Sequence, residues 1–199
     1  MEPKTIFFDI GGVLLTNGWD YPARDKACQH FGLDLIEIDK LHSFIFNVYE
    51  IGKITLDQYL DTVVFNKPRK FSHEEFRNFM LAQSEELPGM IEWVSNLKRN
   101  TDHRIIAINN EGREMNNFRI RKFGLKNCFD AFVSSCEVGM RKPDPGIFLI
   151  ALGIAQTTVE ESIYFDDRPM LVDAARRLNI RAYQHETLEK TKKILEKYL

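Results

Sequence analysis

No stretch of this chain approaches the uninterrupted apolar length that spans a bilayer, and its opening residues, MEPKTIFFDI, lack the apolar segment and small-residue cleavage site of a secretory leader. Neither sign of charge is in excess: 27 basic residues against 29 acidic ones leave a formal charge of −2. No global field therefore favours nucleic acid or an anionic membrane surface. Cysteine is scarce, and Cys28, Cys128 and Cys136 form neither an even set nor a metal-type spacing, which fits a reducing compartment and small packing thiols. The histidines, at positions 30, 42, 73, 103 and 185, also lack ligand spacing and are expected on helix surfaces or strand starts. Repeats and low-complexity tracts are absent. These absences lead us to expect a soluble cytoplasmic protein without a nucleic-acid or membrane partner.

What is present suffices for a real core, since 44% of the 199 residues are hydrophobic. After the first apolar run, FFDIGGVLL from Phe7 to Leu15, similar short β-branched or aromatic runs recur. They lie at Arg104 to Ile108, Phe129 to Val133 and Ser162 to Phe165, with a weaker one at Ile180 to Tyr183. Buried parallel strands read this way. Leu171, Ala174, Ala175 and Leu178 fall at i, i+3, i+4 and i+7 of a helix that has Pro169 near its first turn. Strand and helix alternate from residue 88 onward. The expected fold is therefore α/β, a Rossmann-like doubly wound parallel sheet, which binds its ligands at the carboxyl ends of the strands.

The interval from Tyr21 to Leu87 breaks the alternation with helix signals alone. Asp34 with Glu37, Thr55 with Gln58 and Ser72 with Glu75 have capping-box spacing, and Phe71 and Phe76 stand where a hydrophobic staple would sit. Leu56, Tyr59, Leu60 and Val63 continue one apolar face. We expect residues 19–87 to form a small helical insert, with residues 1–18 and 88–199 forming the core. Lys67, Arg69 and Lys70 around Pro68 read as a solvated loop within the insert.

Asp9 before Gly11 and Gly12 is, alone, compatible with a simple turn cap. Asp167 ahead of Pro169 could likewise be an N-cap, and Lys142 before Pro143 a surface charge. Their joint order says more. Asp9 ends the first strand, Asn109 and Asn110 follow the second, Lys142 follows the third, and Asp166 and Asp167 end the fourth. All four strand ends face the edge where this architecture gathers its ligands.

The segments FFDIGGVLL, IAINN, GMRKPDPGIF and IYFDDRPMLVDAARRLNI, with EIGKITLDQY between the first two, resemble the haloacid dehalogenase superfamily, in its branch with a helical cap inserted after the first strand. The resemblance covers essentially the whole chain. It implies that Asp9 is a nucleophile that attacks a phosphorus in line and becomes an aspartyl-phosphate. It implies a Mg2+ held by Asp9, the backbone carbonyl of Gly11 and the acidic pair, with Asp167 as the direct ligand and Asp166 in or just outside the first shell. Lys142 would supply a fixed positive charge, Asn109 and Asn110 would orient phosphate oxygens, and the substrate would be a small phosphorylated metabolite. Near the hinge, Asn17, Trp19 and Tyr49 are substrate-facing candidates, Trp19 also fitting a packing role.

Two positions depart from the family. Most phosphatases of the superfamily carry a second aspartate two residues after the nucleophile, where it exchanges protons with the leaving oxygen and the attacking water; here that position is Gly11. Losing a positioned acid–base group costs about 10²–10⁴ in rate. Asn109 stands where Ser or Thr is usual, a milder change because an amide still donates a hydrogen bond. Gly11 leaves three readings: a phosphatase whose substrate has a good leaving group or finds its proton elsewhere; a weak or non-catalytic binder of a phosphorylated ligand; and, third in rank, a 2-haloacid dehalogenase. Against the last, the turn is Ile10-Gly11-Gly12-Val13 and the acidic pair suits a cation.

Overall fold

A computed structural model describes residues 3–198. The first strand, β1 (Thr5–Phe8), starts before the first apolar run and takes in only its Phe7 and Phe8; it is buried along its whole length. The chain then leaves for four helices, α1 (Tyr21–Phe31), α2 (Leu35–Glu50), α3 (Leu56–Val63) and α4 (His73–Ala82). It returns through α5 (Met90–Asn100), β2 (Arg104–Asn109), α6 (Arg113–Lys122), a 3-10 turn at Leu125–Asn127, β3 (Ala131–Ser134) and the single turn α7 (Ser135–Val138). The last elements are α8 (Pro145–Ala155), β4 (Ser162–Asp166), α9 (Pro169–Arg176), β5 (Arg181–Gln184) and α10 (Leu188–Leu195).

The strands form one parallel sheet in the order β3-β2-β1-β4-β5. Because both faces are covered, alternate residues of each strand enter different clusters. Ile6, Phe8, Ile105, Ala107, Ile163 and Phe165 pack on one side, and Phe7, Ile106, Ile108, Val133 and Tyr164 on the other. Phe8 stands level with Ala107 and Phe165, so the chain leaves β1, β2 and β4 at one edge. The order reverses beside β1, which makes that edge the place for a ligand. β3 starts later than the FDAFV run suggests because the Asp130 carboxylate accepts the Ile105 N–H at 2.8 Å and Phe129 turns into the core.

The four inserted helices bury a second apolar cluster, built on Trp19, Tyr59, Leu60, Val63, Phe76 and Met80 and joined by Met115 and Phe118 of α6. Thr55 with Gln58 and Ser72 with Glu75 form reciprocal capping boxes. Asp34 caps α2 through the Ile36 and Glu37 N–H groups, while the Glu37 carboxylate turns instead to Lys67 at 2.6 Å. Phe71 and Phe76 stack with centroids 6.0 Å apart. Lys67 and Lys70 are exposed, and Arg69 closes the loop by donating to the Val64 carbonyl at 2.6 Å. The three cysteines are buried and unpaired. Two histidines differ from expectation. His42 and His185 are buried, their Nδ1 atoms satisfied by the hydroxyls of Tyr59 at 2.9 Å and Thr191 at 2.8 Å. Among the described residues, no helix is long and apolar enough to cross a membrane.

Entry to the insert and exit from it run side by side: the Leu87 N–H donates to the Leu14 carbonyl and the Thr16 N–H to the Glu85 carbonyl, each at 2.9 Å. The far end of α2 also seats on the sheet, where Ser135 Oγ donates to the Glu50 carbonyl at 2.7 Å and the Tyr49 ring lies flush on Gly112. A Cβ at residue 112 would fall inside that ring. Gly112→Ala is therefore expected to cost about 1–3 kcal/mol through overpacking, read as a Tm lowered by several degrees. An unchanged Tm would show that Tyr49 does not pack there.

Candidate active site

The Asp9 N–H continues the ladder beyond β1 by donating to the Phe165 carbonyl at 2.9 Å, which carries the side chain to the edge of the sheet. The backbone then turns tightly. Gly12 has φ +72°, and a Cβ there would overlap the Asp167 carboxylate. Only a residue without a side chain lets this turn come so close to the end of β4.

Lys142, from the loop between α7 and α8, is 1% exposed. Its Nζ lies 3.0 Å from Asp9 Oδ1, 2.6 Å from Asp166 Oδ2 and 2.9 Å from the Tyr164 hydroxyl. Asn110 fixes the lysine backbone from both sides, accepting its N–H at 2.8 Å and donating to its carbonyl at 2.9 Å. Asn109 is tied up deeper in the fold, donating to Asn116 Oδ1 at 3.1 Å and accepting from Ser134 Oγ at 2.8 Å. The hydrogen bonds of both carboxamides thus go to protein partners, and Asn110 alone of the two lines the cavity described below.

Asp166, fully buried, also accepts from the Tyr164 hydroxyl and from the Arg168 N–H at 2.9 Å. Asp167 is held more loosely: Asn17 Nδ2 approaches Oδ2 at 3.4 Å, and Oδ1 is buried with no hydrogen-bond partner. Carboxylate oxygens of Asp9, Asp166 and Asp167 lie within 4.8 Å of one another. One ammonium faces three carboxylates, and the imbalance shows in their acidity. Burial raises the Asp9 carboxyl to about 7, Lys142 opposing the rise and Asp166 and Asp167 adding to it. Burial also raises Asp167, with Asp166 contributing. Asp166 moves down, because its contacts with Lys142 and Tyr164 and the Arg168 N–H outweigh the cost of burial. Burial works against the Lys142 ammonium, yet Asp166 and Asp9 raise its pKa overall.

These residues meet the needs of a divalent cation: three hard anionic oxygen donors close together, one of them a buried oxygen with nothing to accept, and surplus negative charge. Beside them a cavity of about 490 Å³ opens between the sheet edge and the insert, with Asp9, Asn110 and Lys142 on one wall and Arg24, Phe46 and Glu50 on the other. Asn17 and Trp19 also line it, whereas Tyr49 packs away on Gly112. Trp19 donates to the Tyr59 hydroxyl at 2.9 Å, which gives it a packing role too.

Tyr164, Glu111 and Arg119 belong to this neighbourhood without having been singled out from the sequence. Tyr164 was legible, since residues i and i+2 of a strand share a face and Asp166 is two positions on. The Glu111–Arg119 pair, at 2.9 Å, left only the adjacency of Glu111 to the two asparagines as a sign.

A family model described as haloacid dehalogenase-like hydrolase matches residues 3–179. A phosphorylated carbohydrates phosphatase of Thermotoga maritima is 28% identical over 180 residues, covering 89% of this chain and 82% of that one. A drimenol cyclase of Aspergillus calidoustus is 28% identical over 186 residues; the match takes in 90% of this chain and 33% of that much longer protein. In fold, the chain superposes on a HAD family enzyme of Bacteroides thetaiotaomicron, crystallised as a magnesium complex, with a TM-score of 0.83 at 18% identity and 98% coverage of both chains.

The ion-pair geometry makes a prediction about stability. Lys142→Met strands Asp9 and Asp166 without their cation and should cost about 3–5 kcal/mol. The loss should be largest near pH 8 and shrink toward pH 5, where protonation relieves the stranded carboxylates. In the unsubstituted protein the depressed Asp166 contributes stability that is lost only as pH falls below its unfolded value, outside this window, whereas Asp9, raised to about 7 with Lys142 in place, costs less stability at pH 8 than it would without that cation. Urea unfolding in chelator at the two pH values reads the difference. An equal loss at both would contradict the arrangement.

Proposed function

Because this chain belongs to the haloacid dehalogenase-like hydrolases, we propose that it is a magnesium-dependent phosphatase acting on a small phosphomonoester, such as a sugar phosphate, through phosphorylated Asp9. The observation that carries this reading is the unpartnered Asp167 oxygen beside Asp9 and Asp166, with Lys142 bridging the latter two. The likeness to a phosphatase of phosphorylated carbohydrates supports the substrate class.

In this reading Asp9, the Gly11 carbonyl, Asp167 and, in or just outside the first shell, Asp166 hold the ion. When bound, it neutralises the repulsion between the Asp9 carboxylate and a phosphate. Asp9 attacks phosphorus opposite the leaving oxygen, and water later releases phosphate. Lys142 has no freedom to wander, since Asn110 fixes its backbone and two carboxylates its head. It offers the nucleophile and the transferring group a charge that needs no reorganisation. Asn110 does double duty, and its second amide hydrogen serves a phosphate oxygen. Residues 19–87 act as a cap over the core of 1–18 and 88–199, excluding water and shaping the cavity around the rest of the substrate. The three unpaired thiols suit the cytoplasm as its place of work.

Gly11 gives one specific ground for a second reading, a protein that binds phosphorylated ligands without turning them over. A panel of small phosphorylated metabolites, with and without magnesium, separates the two. Phosphate release from at least one, stopped by chelator and by Asp9→Asn, is the expected outcome. Silence across the panel with intact binding of beryllium fluoride would establish the binder, and halide release from 2-haloacids in chelator would establish a dehalogenase.

A further inference from the structure

An ester leaving group needs a proton, and Gly11 has none to give. We propose that Glu111 is the general acid–base of the reaction, held by Arg119, which faces the turn where residue 11 carries no side chain; this rests on the phosphatase reading above.

That turn can be located. A Cβ built on Gly11 would point at Asn17 Oδ1, 3.0 Å away, and at Arg119 Nη1, 3.8 Å away. Arg119 Nη1 in turn donates to Glu111 Oε2 at 2.9 Å. The carboxyl reached from the vacated position through a single guanidinium is therefore that of Glu111. It lines the same cavity as Asp9 and Lys142, and it follows Asn110 directly, on the loop that fixes the lysine. Its own backbone is pinned, its N–H donating to Ser135 Oγ at 2.9 Å.

Arg119 is a positioning residue. It is 3% exposed, and two further donors go to Ser84 Oγ at 3.0 Å and to the Thr16 carbonyl. So held, it stabilises the Glu111 carboxylate once the proton has left. Burial raises the Glu111 carboxyl to about 7 against the pull of Arg119, the Gly112 N–H and Arg168, with Glu50 adding to the rise, so acid and base forms are both populated near neutrality. Three other proton-bearing groups on the cavity wall do not touch Arg119 and have partners of their own. Glu50 is paired with Arg141 Nε at 2.6 Å, Asp20 caps α1 through the Ala23 N–H at 3.1 Å, and His42 Nδ1 is taken by Tyr59.

In the first half-reaction the Asp9 oxygen bonds to phosphorus, the bond from phosphorus to the leaving oxygen breaks, and the Glu111 proton goes to that oxygen. In the second, a water oxygen bonds to phosphorus, the Asp9–phosphorus link breaks, and the water proton returns to Glu111. Inorganic phosphate is released and Glu111 is reset.

The test compares leaving groups. Glu111→Gln keeps the size and an acceptor for Arg119 but cannot exchange the proton. On an alkyl or sugar phosphate that the unsubstituted enzyme hydrolyses, kcat/KM should fall by about 10²–10⁴, with loss of the limb of its pH profile near neutrality. On acetyl phosphate, whose leaving group needs no proton, kcat/KM should fall by less than about threefold. Glu111→Asp, which keeps a carboxyl, should recover part of the alkyl-phosphate rate and serves if the glutamine variant folds poorly. Equal losses on both substrates, no loss on either, or the leaving-group pattern appearing in Glu50→Gln instead would overturn the assignment. An unsubstituted protein inert toward both substrates would overturn the phosphatase reading itself, a distinguishable result.

Discussion

The site depends on one buried ammonium. Lys142 has almost no contact with solvent, and its desolvation is offset only because Asp9 and Asp166 meet it from two neighbouring strands. That meeting requires β1 and β4 to be adjacent and in register, which they are, Phe8 standing level with Phe165. It also requires the loop after α7 to come inward, which Asn110 enforces from the end of β2. Sheet order, strand register and loop path are thus tied to a single charge. Asp167 stands outside this ion pair, with Oδ2 near Asn17 Nδ2 at 3.4 Å and Oδ1 buried without a protein donor.

The insert enters this scheme from the opposite wall. The end of α2 is seated on the core through Tyr49 and Gly112 and through Ser135, whose hydroxyl links the Glu50 carbonyl to the Glu111 N–H. A shift of the insert would therefore be felt at the loop that follows β2. Substrate would lie between the two walls, with its phosphate toward the sheet and its remainder toward Arg24 and Phe46. Further contacts join the insert to the core, among them Glu50 with Arg141 at 2.6 Å and the Leu56 N–H donating to the Glu114 carboxylate at 3.1 Å.

Much of this was legible in the residues. Apolar runs marked the strands, and the parallel sheet made their ends converge, so Asp9, Lys142, Asp166 and Asp167 could be placed together before any coordinates. Thr55 and Ser72 announced their helices through capping boxes that formed as spaced. What stayed hidden depends on contacts without periodicity. The grip of Asn110 on the Lys142 backbone joins a side chain to a main chain 32 positions away, and no pattern of residue types encodes it. His42 looked like a surface residue because nothing in the sequence shows that the Tyr59 hydroxyl will meet it at 2.9 Å. Asn109 and Asn110 drew attention together, yet Asn109 is tied into the framework by Asn116 and Ser134 while Asn110 lines the cavity; a chain position at a strand end tells where an amide is, not what it faces.

The claim beneath all of this is that Asp9 becomes phosphorylated at a site completed by magnesium. Rapid mixing with acetyl phosphate, reductive trapping with borohydride and peptide mass spectrometry test it at the level of the bond. Modification confined to Asp9 and abolished by chelator is the expected result. Absence of any acyl phosphate, modification at another residue, or the same labelling without a divalent cation would contradict it.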